Sequence, residues 1–338
     1  MESDLDLDFE HYTVAWIAPL EIEAQAALYM LDHKHQGSFT TNQGDDYLYT
    51  AGDINGHNVI IATFPGDHDY GVVSAAALAS QVKKSFPNLW FGLLVGVAAG
   101  LPNLSRKPPR DIRLGDVLVG FGEGGSAGLV SYSLGKETSK GFELLHYGAQ
   151  AKTETVVRSA IGSIKYHAPI DGNVFLQYYE SIKDKNHSNG TFADPGQESD
   201  QLYQTVDDDN GLVIKLVERP LRPPSERTKV WYGSIGSGDK LMKNAQKRDE
   251  LRDKFNLIGL EMEAAGAMNT IPVGVIRGVC DYGDAQKNKE WQPYAAAIAA
   301  AYAKALLYKI RPAKNRRKEA LEAQKALGTQ KVVEAQKG

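Results

Sequence analysis

The chain has 338 residues, a formal net charge of −4 and 42% hydrophobic residues, enough to enclose a full core in one large α/β domain or two small ones. The mild acidic balance, with no basic face before residue 311, argues against a nucleic-acid-binding body and points to small molecules as partners. Cys280 is the only cysteine, which excludes an internal disulfide framework and a thiolate metal cluster and fits a reducing cytoplasm.

Residues 1–10 are acidic and carry no apolar run behind basic residues, so no secretory signal is expected. No window approaches the apolar length of a membrane span. Residues 12–18 read as a first buried strand, and 19–31 as a helix with Pro19 near its first turn and acids at Glu21 and Glu23. Residues 47–51 and 58–64, separated by 53–56, pattern as a hairpin. The alanine-rich stretch 71–86 has helical spacing and is broken by Pro87 before the strongest strand, 89–95. That strand runs into Gly96-Val97-Ala98-Ala99-Gly100, read as a tight turn whose small residues let a ligand approach the backbone. Residues 102–113, with three prolines and three arginines, are expected as an exposed loop, and 116–120 and 129–132 as short strands. From about 167 to 228 the chain turns polar and reads as an elaboration that overhangs the core.

Order is expected again from 230, with a strand that ends in the turn Ser237-Gly238-Asp239 and a helix over 240–255. The stretch around which the chain is organised follows: an apolar strand from 257, a small-residue helix that starts at Glu261-Met262-Glu263, and a second apolar strand, 273–280, that ends on Asp281. Ligands of open parallel sheets bind beyond the carboxyl ends of the strands, so Glu261, Glu263 and Asp281 are predicted to converge on one crevice. Each has a plainer role alone: Glu261 as a helix cap, Asp281 as a turn aspartate, and Cys280 as a packing residue. A long alanine-rich helix over 295–310 precedes a charged tail, 312–338, expected as a solvated helix or a linker.

At Glu261-Met262-Glu263, Ser237-Gly238-Asp239 and Asp281 the chain resembles the nucleoside phosphorylase and nucleosidase superfamily, in particular its methylthioadenosine/S-adenosylhomocysteine nucleosidase branch. In texture it is similar to the fungal domains of that superfamily fused to signalling or repeat modules. The resemblance covers residues 11–311 and implies one α/β domain, with a central mixed, largely parallel twisted sheet flanked by helices. By that resemblance Glu263 would hold the ribose hydroxyls, Met262 would pack on the sugar, and Asp281 would be the general acid that protonates the purine as the glycosidic bond breaks. Val97 and Ala98 would border the ligand, and Leu241 and Met242 would line the base where the family has an aromatic ring. Trp291 would be either an aromatic near the sugar or a core residue. His68 and the 102–113 loop would either border the 5′ end of the ligand or be plain surface loop, and their spacing does not separate the two.

Phosphorylases of this superfamily hold phosphate with two arginines and a serine. Those positions here read Glu21, Leu94 and Val97, and a carboxylate in an anion site should repel phosphate. Water is then the expected nucleophile, with Glu23 as its base and Glu21 as second choice. The expected activity is hydrolysis of a purine ribonucleoside to free base and ribose, with no cofactor and no metal, in a homo-oligomer. The alternatives are a phosphate-dependent phosphorylase and a non-catalytic nucleoside-sensing module of a larger signalling protein.

Overall fold

A computed structural model describes residues 6–40, 44–66, 70–122, 128–133, 135–139, 141–144, 152–208 and 211–312. His68 and the tail beyond residue 312 lie outside the described residues. The elements in chain order are β1 (Val14–Ile17), α1 (Glu21–Met30), β2 (His33–Lys34), β3 (Tyr49–Ile54), β4 (His57–Ala62), α2 (Val72–Ser85), β5 (Phe91–Gly100), β6 (Val117–Gly120) and β7 (Leu129–Ser131). A hairpin, β8 (Gly135–Thr138) and β9 (Gly141–Leu144), then leads to α3 (Thr155–Asp171), α4 (Leu176–Glu180), and two further hairpins, β10 (Asn186–His187) with β11 (Gly190–Thr191) and β12 (Tyr203–Asp208) with β13 (Gly211–Leu216). The chain closes with β14 (Val230–Ser237), α5 (Ala245–Phe255), β15 (Leu257–Glu261), α6 (Ala264–Met268), β16 (Val273–Asp281) and α7 (Gln292–Lys309).

The central sheet has the order β15-β14-β6-β16-β5-β1-β4-β3-β2, and β15 also pairs with β5. Five strands therefore close into a ring, with β1, β4, β3 and β2 running out from β5 as an open extension. Pairings of β5 with β1 and β16, and of β14 with β6 and β15, are parallel; β16 with β6 and β15 with β5 are antiparallel. The sheet is thus mixed and largely parallel, and β16 is buried at every residue, as a strand covered on both faces must be. The alanine-rich α7 lies across β16 and β5, its small side chains allowing close approach.

Three expectations are corrected. Residues 96–100 form no turn: β5 continues through them in register with β16, where Val97 pairs with Gly278. The 102–113 stretch is exposed only over 104–109, while Arg110, Ile112 and Arg113 are buried. The helix expected from 240 starts at Ala245, because the Asn244 side chain accepts from Lys247 N–H and caps it there. The hairpin turn is Asn55-Gly56, both at positive φ (52° and 76°), as a two-residue turn matched to strand twist requires.

The polar insertion carries its own ordered elements and is fastened by arginines. Arg222 pairs with the fully buried Asp116 at 2.6 Å. Arg219 reaches Asp200 at 3.0 Å and the Tyr282 hydroxyl at 2.9 Å, which ties the insertion to the residue after Asp281.

Candidate active site

A cavity of 280 Å³ opens where β5, β15 and β16 end against α1. Glu23, Glu261, Met262, Glu263 and Asp281 line it together, with Val97 and Ala98 on one wall and Leu241 and Met242 on another. Glu21 does not: it is exposed and accepts from Gln25 on the helix surface at 2.8 Å. Trp291 does not line it either. It is 1% exposed, precedes α7 as its cap, and packs edge-on against Tyr294 in the core. No residue of 102–113 or of 167–228 is among those lining the cavity.

The floor is organised by a residue that the sequence reading missed. Arg277, in the middle of β16, is fully buried and meets three carboxylates: Glu261, Glu263 at 3.0 Å and Glu23 at 3.8 Å. A charge inside an apolar strand must be paired, and that rule was the available signal, since every neighbour from Val273 to Cys280 is apolar or glycine. Burial works against the Arg277 guanidinium, but the three glutamates outweigh it and hold its pKa above the ordinary value.

Glu23 enters from the first turn of α1. Its oxygens accept from Leu20 N–H at 2.8 Å and from Val97 N–H at 2.7 Å, joining α1 to β5. Burial raises its pKa, against the opposing pull of Arg277 and the two N–H groups. Gly96 makes this approach possible: a Cβ there would sit 2.1 Å from Glu23 Oε1 and 2.6 Å from Arg277 Nη1. Glu263 is pushed up to about 7, chiefly by burial, with the charges of Glu261 and Glu23 adding to it and Arg277 opposing. Burial penalises the charged carboxylate, and because three carboxylates share one guanidinium, Arg277 does not make up the difference.

Glu261 accepts from Glu263 N–H (3.0 Å) and Ala264 N–H (2.9 Å) as well as from Arg277, so it caps α6 and aims Glu263. Ser237 completes the α6 cap by accepting from Ala265 N–H at 3.0 Å, and Asp239 accepts from Val72 N–H at 2.8 Å at the start of α2. The Ser-Gly-Asp turn thus anchors two helix starts beside the cavity.

Asp281 ends β16, buried. Its Oδ1 accepts from Gly283 N–H at 2.8 Å, and its Oδ2 is 2.8 Å from the Lys287 ammonium. Lys287 also lines the cavity, as do Tyr132, Tyr70, Lys240 and Lys289, none of them singled out from the sequence. Burial and the charges of Glu261, Asp239 and Glu263 push the Tyr132 hydroxyl up. Its ring lies over Gly238, where an added Cβ would sit 2.6 Å from it, and it is an aromatic side chain on the cavity near Leu241 and Met242. Among the described residues no group of histidine, cysteine and carboxylate side chains is arranged to hold a metal ion, and no helix is long and apolar enough to cross a membrane.

No family model matches the chain. A nucleotide-binding leucine-rich repeat (NLR)-like protein of Hyaloscypha variabilis is 36% identical over 305 residues, covering 90% of this chain; the chain spans 30% of that protein's length. Among solved structures, the 5′-methylthioadenosine/S-adenosylhomocysteine nucleosidase of Neisseria meningitidis, crystallised with methylthio-immucillin-A, aligns with a TM-score of 0.55 at 16% identity, over 88% of this chain and 99% of its own. Futalosine hydrolase of Helicobacter pylori aligns with a TM-score of 0.56 at 15% identity, over 89% of this chain and 99% of its own. The ring of β5, β6, β14, β15 and β16, with its flanking helices, therefore has the nucleosidase-like fold of these hydrolases.

Proposed function

We propose that the chain is a purine nucleosidase that hydrolyses the N-glycosidic bond of a purine ribonucleoside to free base and ribose. The observation that carries this reading is that Glu23, Glu263 and Asp281 face one cavity while the arginine behind them is already taken by three carboxylates. A phosphate nucleophile needs free cationic donors beside the sugar; among the carboxylates Arg277 offers none, Lys287 is paired with Asp281, Lys240 and Lys289 are exposed side chains, and water requires no cation. The nucleosidase-like fold supports the same class of reaction.

In this reading Glu23 takes the proton of the attacking water, a role suited to a carboxylate whose pKa burial has raised. Glu263 accepts from the ribose hydroxyls, and Met262 packs against the sugar. Asp281 faces the purine, where negative charge accumulates as the bond breaks. Tyr132, Leu241 and Met242 enclose the base.

The test is incubation with adenosine, inosine and guanosine, with and without phosphate. Base release that is independent of phosphate and yields ribose is the expected result. Release that strictly requires phosphate and yields ribose 1-phosphate would establish a phosphorylase instead. A second reading, a nucleoside-sensing module of a larger signalling protein, is favoured by the similarity to an NLR-like protein of which the chain spans only 30%. It predicts tight ligand binding without turnover, unchanged in Asp281→Asn.

A further inference from the structure

Of residues 285–290, which lie between β16 and α7, Lys287 alone is half-buried; Ala285, Gln286, Asn288, Lys289 and Glu290 are exposed, Lys289 while still bordering the cavity. Its side chain is 21% exposed and its ammonium lies 2.8 Å from Asp281 Oδ2, on the cavity wall. The Cys280 thiol donates to the same oxygen at 3.3 Å, and Gly283 N–H donates to the other. Every neighbouring donor gives to this carboxylate. Asp281 so placed is an acceptor on both oxygens, whereas a departing purine needs a proton delivered to it. The Cys280 thiol is buried at 3% exposure, away from the solvent that would have to restore its proton, whereas Lys287 is in reach of it. The remaining mobile proton beside Asp281 is on Lys287.

We propose that Lys287 supplies, through Asp281, the proton that the purine takes as the glycosidic bond breaks. The inference rests on the nucleosidase reading. Lys287 acts through another residue and is a positioning residue for the general acid. In the step, an Nζ–H bond breaks and an Oδ2–H bond forms; Asp281 passes its proton to a ring nitrogen of the base as the electron pair of the C–N bond leaves with that base. Water adds to the anomeric carbon and gives its proton to Glu23. Lys287 ends as an amine and Glu23 as a carboxylic acid, and solvent returns the proton when the products leave.

Charged and titratable groups face this pair from every side: Cys280 on β16, Asp284 in the following turn, Lys289 on the same segment, and Glu23 and Glu263 across the cavity. Burial lowers the Lys287 pKa, and Asp281 more than offsets this. Entry of a purine displaces water, which penalises the separated charges of the pair.

The experiment measures kcat and KM against pH for the wild-type chain, Lys287→Met and Lys287→Arg, on the nucleoside that the wild type hydrolyses best. Lys287→Met is expected to lose about 10²-fold in kcat, with KM within about threefold and the alkaline limb of the kcat profile moved to lower pH. Lys287→Arg keeps the ion pair but releases its proton far less readily, so kcat should stay low; it also carries the test if Lys287→Met does not fold. Recovery of kcat in Lys287→Arg would overturn the proposal, because charge and not a proton would then be what Lys287 contributes. Wild-type kcat in Lys287→Met, or a loss confined to KM, would overturn it as well. If the wild type releases no base under any condition, the nucleosidase reading falls and this inference with it; turnover that is indifferent to Lys287 removes this inference alone.

Discussion

Arg277 holds the pocket floor together, and its removal shows what three glutamates cost when uncompensated. Arg277→Met should destabilise the protein by about 3–5 kcal/mol, measured as the shift of a denaturant midpoint at constant slope. Glu263 gives a signed dependence on pH. Its folded-state pKa, about 7, lies above the ordinary 4.5, so the folded state binds the extra proton. The contribution is present in full below the unfolded pKa and is lost as pH rises through 7. Between pH 5 and 8 stability should therefore fall, by at most about 1.4 kcal/mol per pH unit from this group. In Glu263→Gln that part of the slope should vanish from a pH series of thermal melts. At this scale the strand-end acids Asp281, Glu261 and Glu263 were legible, because a carboxylate closing an apolar run advertises its position. Arg277 was overlooked within such a run, and Lys287 lies in a polar segment where nothing but the fold reveals which side chain turns inward.

The short helix α6 spans only Ala264–Met268 and cannot hold its own shape, so its start is fixed by Glu261 and Ser237. Ser237→Ala leaves the buried Ala265 N–H without its acceptor. It should cost about 1–2 kcal/mol and raise KM more than it lowers kcat, since α6 aims Glu263. Gly96→Ala tests the approach of α1 to β5: the added methyl overlaps Glu23 Oε1, and on the proposed role of Glu23 kcat should drop by about 10²-fold as its carboxylate is displaced. Circular dichroism should show the fold retained; an unaltered kcat would detach Glu23 from the chemistry. Elements with clean periodicity were readable from sequence, α2 and β16 among them. The extent of β5 beyond Gly96 is not legible, because glycine normally signals a turn, whereas here it makes room for a neighbour's carboxylate. α3 is hard to read from sequence although Val157, Ala160, Ile161 and Ile164 follow helical spacing, since the polar residues between them blur the stripe.

For the whole molecule, the α/β class is legible in alternating strands and helices and the mixed sheet in the family resemblance, but the pairing of β15 back onto β5 is in neither, because no local pattern encodes a bond between strands so far apart in the chain. Through that pairing, β5, β16, β6, β14 and β15 form a hoop without a seam, and a hoop does not admit a guest by parting its staves. Amide hydrogen exchange in β5 and β16 should be the slowest in the protein, and that of the small β10–β11 hairpin far faster. Outside the hoop the cavity is bordered by Leu20, Glu23 and Tyr70 and by two slender walls, residues 239–242 and 285–292. A nucleoside analogue should slow exchange in those two walls and leave the hoop itself unchanged.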